Sequence, residues 1–157
     1  MKKIVPFLWF DSQAEDAAKF YCSVFINSKI QSISYSGDEK SGVKKTVMMV
    51  TYKLNGQDFM ALNGGPVFKF SPAISLYVTC EDQEEIDYLW EKLSDGGEKG
   101  QCGWLTDKFG VSWQIVPNIL GILLAKKDQT RVARVMHAML QMGKLDIEEL
   151  KVAYEQG

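Results

Sequence analysis

The sequence predicts an α+β fold of two βαβββ modules followed by C-terminal helices. One order of apolar runs and helical stripes, strand then helix then three strands, occurs twice along the chain. The two helical stripes align at a constant offset: Ala17, Phe20, Tyr21 and Val24 are answered 69 positions later by Ile86, Leu89, Trp90 and Leu93. That spacing points to an internal duplication. Beyond Pro117 the apolar pattern is helical only. The expected organisation is one domain over residues 1–127, with modules at about 1–66 and 72–117, and a helical extension over 118–157.

Each element has a local reason. Residues 4–10 form a short aromatic-rich apolar run, as a buried strand requires. Ser12 and Glu15 have capping-box spacing ahead of the first helical stripe, and Asn27-Ser28 ends it. Residues 29–35 alternate and read as a strand, and residues 36–42 are a polar, glycine-containing loop. Residues 46–54 and 58–62 are strands joined through Asn55-Gly56, a strong hairpin signal because both residues tolerate positive φ. Asn63-Gly64-Gly65-Pro66 breaks the pattern. The second copy runs through a strand at 73–80 and a helix capped by Asp82 with Glu85, which stops at Asp95-Gly96-Gly97. Short strands follow at 99–102 and 104–106, then a turn at Asp107-Lys108-Phe109-Gly110 and a last strand at 111–116. Residues 118–126 are helical, a second stripe starts at Asp128 and stops at Gly143, and Asp146 caps a final helix.

Composition narrows the function. Of 157 residues, 18 are Lys or Arg and 20 are Asp or Glu, giving a net charge of −2. That balance argues against a nucleic-acid partner, which would call for a basic stripe. The start Met1-Lys2-Lys3 with its apolar run imitates a signal peptide, but Asp11 ends the run early. The longest other apolar stretch, residues 119–125, is far short of a membrane span. Three cysteines, Cys22, Cys80 and Cys102, are odd in number and lack C-x-x-C spacing, so reduced thiols and a cytoplasmic location are expected.

Three segments resemble a known family. They are Pro6-Phe7-Leu8-Trp9-Phe10 with residues 17–21, then Phe59-Met60-Ala61-Leu62-Asn63-Gly64-Gly65-Pro66, and most specifically residues 103–117, from Gly103-Trp104-Leu105 to Val116-Pro117. Over roughly residues 1–142 the chain resembles the PhnB-like branch of the vicinal-oxygen-chelate superfamily, which contains glyoxalase I, bleomycin-resistance proteins and extradiol dioxygenases. Members of this branch are often labelled 3-demethylubiquinone 3-methyltransferase-like. The resemblance implies that each module curls its sheet into half a barrel. It also implies that paired modules enclose a cavity, in many members through a homodimer.

In the metal-using relatives a divalent ion sits in that cavity, held by His, Glu or Gln at one seat on each of four strands. Carried over by spacing from Phe20-Tyr21 and Leu89-Trp90, the seats fall at Pro6 and Ser75, with the others near Met60 and at Gln114. Only Gln114 is a ligand type, and one neutral amide does not hold a divalent ion. No metal and no cofactor is therefore expected, and no catalytic residue is singled out. If Pro6 and Ser75 face inward, alternation brings Leu8, Phe10, Tyr77 and Thr79 with them. Gln114 then brings Ser112 and Val116, and Met60 brings Leu62. Ser75, Tyr77, Gln114, Met60, Leu8 and Phe10 are thus the candidate ligand-binding residues, a mostly apolar lining suited to a small apolar or aromatic molecule. The competing expectation is that they only fill the barrel.

Other residues have structural readings: Cys102 as a packed thiol, Asp107-Lys108 as a solvated turn, and Asn63-Gly64-Gly65 as a module hinge. His137 reads as an amphipathic-helix residue, and Met48-Met49 with Met136, Met139 and Met142 as packing. The function expected is a metal-independent small-molecule binding protein, a homodimer. The alternative is an enzyme of the same superfamily, of glyoxalase, dioxygenase or methyltransferase-like type.

Overall fold

The structure, a computed structural model, describes residues 3–37 and 43–156. Most of the loop expected at 36–42 lies outside the described residues. The chain forms two compact units, Met1–Phe70 and Ser71–Gly157.

The first unit runs β1 (Phe7–Phe10), α1 (Ala14–Val24), β2 (Lys29–Ser36), β3 (Thr46–Leu54) and β4 (Gln57–Asn63), with sheet order β1-β4-β3-β2. The second repeats it with β5 (Leu76–Cys80), α2 (Gln83–Ser94), β6 (Glu98–Lys99), β7 (Trp104–Thr106) and β8 (Ser112–Pro117), in order β5-β8-β7-β6. In both sheets the first strand pairs parallel to the fourth and the other pairings are antiparallel. The duplication read from the helical stripes is therefore a duplication of topology. The α3 (Asn118–Leu124), α4 (Gln129–Gln141) and α5 (Ile147–Glu155) helices complete the second unit.

Each sheet buries one face beneath its helix. Ala17, Tyr21 and Val24 are buried on α1, and Ile86, Leu89, Trp90 and Leu93 on α2. Beneath α1 lie Leu8, Phe10, Val50, Tyr52, Phe59 and Ala61, all buried. Beneath α2 lie Leu105, Trp113 and Ile115. The β3–β4 hairpin turns as expected, with Asn55 at φ 43° and Gly56 at φ 78°.

The start of α1 departs from expectation. Gln13 is its N-cap and makes no side-chain capping bond, so the Ser12 capping box does not form. Asn63 does the work from β4 instead. Its Oδ1 accepts from the Ala14 N–H at 2.8 Å and its Nδ2 donates to the Val47 carbonyl at 3.0 Å. Asn63-Gly64-Gly65 is thus a clamp as well as a junction. A Cβ on Gly64 would overlap the indole of Trp9, whose Nε1 donates to the Gly65 carbonyl at 2.9 Å. In the second unit Asp82 caps α2 as expected, accepting from the Glu85 N–H at 2.9 Å, while Glu85 accepts from the Glu81 N–H at 2.8 Å.

Asp107 is a second correction. It is buried rather than solvated. One carboxylate oxygen accepts from the Phe109 and Val111 N–H groups at 2.8 and 3.0 Å, and the other from the Trp113 indole at 2.8 Å. A charged group leaves water only when its lone pairs are met, and here the turn back from β7 to β8 meets them. Asp107→Ala is expected to destabilise the protein by about 2–4 kcal/mol in urea unfolding.

The C-terminal helices are part of the second unit's core. Val116, Leu120 and Leu123 cluster with Val135, Met142, Leu145 and Leu150. The stretch between α4 and α5 is tied down by Cys102 N–H to Met142 O and Gly103 N–H to Gly143 O, both 2.8 Å. Gln83 adds bonds to Leu145 O and from Ile147 N–H. Deleting residues 128–157 removes four buried side chains, each contributing about 1.5–3 kcal/mol. That loss is comparable with a whole domain's stability of about 5–15 kcal/mol. The truncated chain is expected to lose its cooperative thermal transition.

Candidate functional site

A four-stranded sheet with one covering helix leaves its other face open. Which side chains stand there follows from strand register, since residues directly opposite share a face. In the first unit Phe7 lies opposite Met60 and Trp9 opposite Leu62, while Thr51 and Met49 lie opposite the same two β4 residues from the other side. The open face therefore carries Phe7, Trp9, Met49, Thr51, Met60 and Leu62. It is apolar, and Phe7 is 49% exposed.

Leu8 and Phe10 are not on it. Leu8 lies opposite Ala61 and Phe10 opposite Asn63, on the face covered by α1, where both are buried. The expectation that they line one surface with Met60 is corrected. Counting from Phe20 to the seat at Pro6 crosses the turn at Asp11-Ser12-Gln13. A shift of one residue there exchanges the two faces of a strand. Pro6 itself contributes its carbonyl to the Met60 N–H at 3.0 Å.

In the second unit the expected grouping is present. Tyr77 lies opposite Gln114, and the Gln114 Nε2 donates to the Ser75 Oγ at 2.8 Å. Tyr77 is 59% exposed, and Ser75 and Gln114 are half-buried. Trp104, which sequence reasoning passed over, lies opposite Gln114 on the other side, and Thr106 lies opposite Ser112. The available signal was the three-residue strand Trp104-Leu105-Thr106, whose central Leu105 is core. Trp104, Thr106 and Ser112 line a cavity of about 190 Å³ with Pro72, Glu98 and Lys99. Thr79 lies opposite Val116, but Val116 is buried in the cluster of C-terminal helices and so does not join the open surface.

The metal that the resemblance implies meets an unsuitable donor set. The open faces offer two thioethers, aromatic rings, hydroxyls and one amide, and that amide is already bonded to Ser75. Divalent ions at such seats need carboxylate or imidazole donors. Among the described residues no three His, Cys, Asp or Glu side chains are grouped to hold an ion. The residues present do not fit the group.

Nucleophile chemistry is similarly unsupported. Burial pushes the Cys80 thiol up to about 12, with the nearby Glu85 and Asp82 charges adding to it. Burial also raises Cys22. Cys102 is half-buried at φ 57° and its backbone is spent on Met142. His137 stands exposed on α4, where it lines a groove of about 730 Å³ with Gln129, Arg134 and Ala153. The methionines are mixed: Met142 is buried, while Met48 and Met136 are exposed.

The profile of the family 3-demethylubiquinone-9 3-methyltransferase matches residues 2–116. A solved PhnB protein of Bacillus cereus that carries the same family name is 43% identical, covering 74% of this chain and 99% of its own, with TM-score 0.67. The Pseudomonas aeruginosa protein PA1353 is 19% identical, covering 74% of this chain and 98% of its own at TM-score 0.61. The fosfomycin resistance protein FosX of Listeria monocytogenes is 14% identical, covering 80% and 98% at TM-score 0.54. The last two show the fold alone. No curated protein matches the chain. The α3, α4 and α5 helices lie beyond the family match.

The Cys80 thiol supplies a test. Its folded pKa lies above the ordinary 9.0, so the stability it contributes is full below pH 9 and is lost as pH rises toward 12. At pH 8 Cys80 is expected to resist alkylation by iodoacetamide until the protein is unfolded, as read by peptide mass spectrometry.

Proposed function

Since the chain belongs to the 3-demethylubiquinone-9 3-methyltransferase family, we propose that it binds a small apolar or aromatic molecule on the open face of its second sheet, without a resident metal. The observation that carries this reading is the pairing of Tyr77, Gln114 and Trp104 on one face, with Ser75 bonded to Gln114. Aromatic surface with a few neutral polar groups is the chemistry of a small-molecule site. The polar groups orient a ligand and the rings supply contact area.

The open face of the first sheet has a different role in this reading. Phe7 and Phe68 are 49% and 63% exposed there and beside it, and Phe68 packs edge-on against Trp9. Apolar surface of this kind is covered in working proteins, and a second copy of the chain is the occupant proposed. The three cysteines are free, which supports a reducing, cytoplasmic setting. No helix among the described residues is long and apolar enough to cross a membrane.

The family's name favours a second reading, methyl transfer to a quinone precursor. A glycine-rich turn between a first strand and its helix commonly holds a methyl donor. Here that link is Asp11-Ser12-Gln13, and the glycine pairs Gly64-Gly65 and Gly96-Gly97 follow β4 and α2. The binding reading is therefore preferred over the enzymatic one.

Four measurements test these readings. Elemental analysis of untagged protein is expected to find no stoichiometric zinc, nickel, iron or manganese; a full equivalent of any would contradict metal independence. A thermal-shift panel of aromatic metabolites, quinones and antibiotics is expected to give stabilising hits, whereas S-adenosylmethionine gives no calorimetric heat. Sedimentation velocity is expected to show a dimer that Phe7→Asp converts to monomer, and a monomeric parent protein at micromolar concentration would remove the dimer.

A further inference from the structure

The row Tyr77, Gln114, Trp104 crosses three adjacent strands at one level. Tyr77 on β5 and Trp104 on β7 both lie directly opposite Gln114 on β8. Neighbouring strands stand about 4.8 Å apart, so the two aromatic residues are rooted about 10 Å from one another, one on each side of the amide. Tyr77 is 59% exposed and Trp104 borders the cavity of about 190 Å³.

The hydrogen bond at the centre of the row decides what it can read. Gln114 Nε2 donates to Ser75 Oγ at 2.8 Å. That bond uses an amide proton and a hydroxyl lone pair. It leaves the Gln114 Oε1 to accept and the Ser75 hydroxyl proton to donate. The row therefore offers the Oε1 acceptor beside the Ser75 hydroxyl donor, with the second amide proton of Gln114 also left to donate, and none of these groups is charged.

Charge in the surroundings is already committed. Lys99, at the cavity wall, is paired with Glu91 at 2.9 Å, and Glu98 stands beside it. The Asp107 carboxylate is held by the Phe109 and Val111 N–H groups and by the Trp113 indole of β8. An anionic ligand group would lose water here without gaining a cation.

Resting on the binding function proposed above, we propose that this row takes a planar, uncharged heterocycle with an N–H and a C=O on neighbouring ring atoms. The lactam N–H donates to Gln114 Oε1 and the lactam carbonyl accepts from the Ser75 hydroxyl. The Tyr77 and Trp104 rings flank the heterocycle. The ligand class is thus cyclic amides of the quinolone or pyrimidinone kind, in preference to plain arenes and aromatic carboxylates.

Calorimetric titration with 2-quinolone, naphthalene and quinoline-2-carboxylate tests this on the full chain. The expected result is 2-quinolone binding about tenfold more tightly than either comparator, as two neutral hydrogen bonds allow. Gln114→Leu and the milder Ser75→Ala should each reduce that preference, with Gln114→Leu bringing 2-quinolone to the level of naphthalene. Tyr77→Ala should weaken 2-quinolone and naphthalene together. Thermal melts of each variant confirm that it folds. Equal binding of naphthalene and 2-quinolone, or a preference untouched by Gln114→Leu and Ser75→Ala, would overturn the lactam assignment. If the three probes fail while other aromatic compounds stabilise the protein, the assignment falls and the binding function stands. If no compound of the wider panel binds, both fall.

Discussion

Pairing Phe7 with Met60 and Tyr77 with Gln114 sets the phase of side-chain alternation in both sheets, because a slip of one residue in either would exchange the covered face for the open one. The covered phase is enforced by burial. Leu8, Phe10 and Ala61 must go under α1, and Trp113 and Ile115 under α2. The open phase is what remains, and its chemistry differs between the units. The first presents thioether and aryl groups, the second hydroxyls, an amide and two aromatic rings.

Two polar devices hold the phase in place. Asn63 joins the end of β4 to both the first turn of α1 and β3, so helix and sheet keep one relation. Asp107 gathers two backbone N–H groups and an indole, which fixes where β8 starts relative to β7 and hence that Trp104 and Gln114 meet. Both are buried or half-buried groups whose partners are mostly backbone, and neither needs a ligand to be satisfied. The C-terminal helices add a third constraint by taking Val116 into their core, which shortens the open surface at that end of β8.

The fold was largely legible in the sequence and the site only half so, for a physical reason. Topology repeats with the apolar stripes, and the stripes of α1 and α2 are visible because polar residues separate them. At β5 the polar residues Ser75, just ahead of the strand, and Thr79, within it, alternate with Leu76, Val78 and Cys80, so its phase is legible directly. In β1 every residue from Phe7 to Phe10 is apolar, and alternation leaves no mark on such a run. Its phase had to be carried across a turn by counting, and the count was off by one. Asp107 was misread because an Asp-Lys-Phe-Gly stretch looks like any exposed turn. The partners that bury it, Val111 and Trp113, become neighbours only once β7 and β8 pair. Ser12 is not the cap because α1 starts one residue later, with Gln13 at the N-cap, and the Ala14 N–H is met by Asn63, 51 positions from Ser12.

The open face of the second sheet is the surface proposed to meet a ligand. Nitrogen-edited NMR of the side-chain amide of Gln114 and the indole of Trp104, titrated with any compound that stabilises the protein, tests it most directly. These two signals are expected to move first and furthest, with Tyr77 beside them. Shifts centred on Ala133, His137 and Ala153, in the groove of α4 and α5, with Gln114 and Trp104 unmoved, would contradict it.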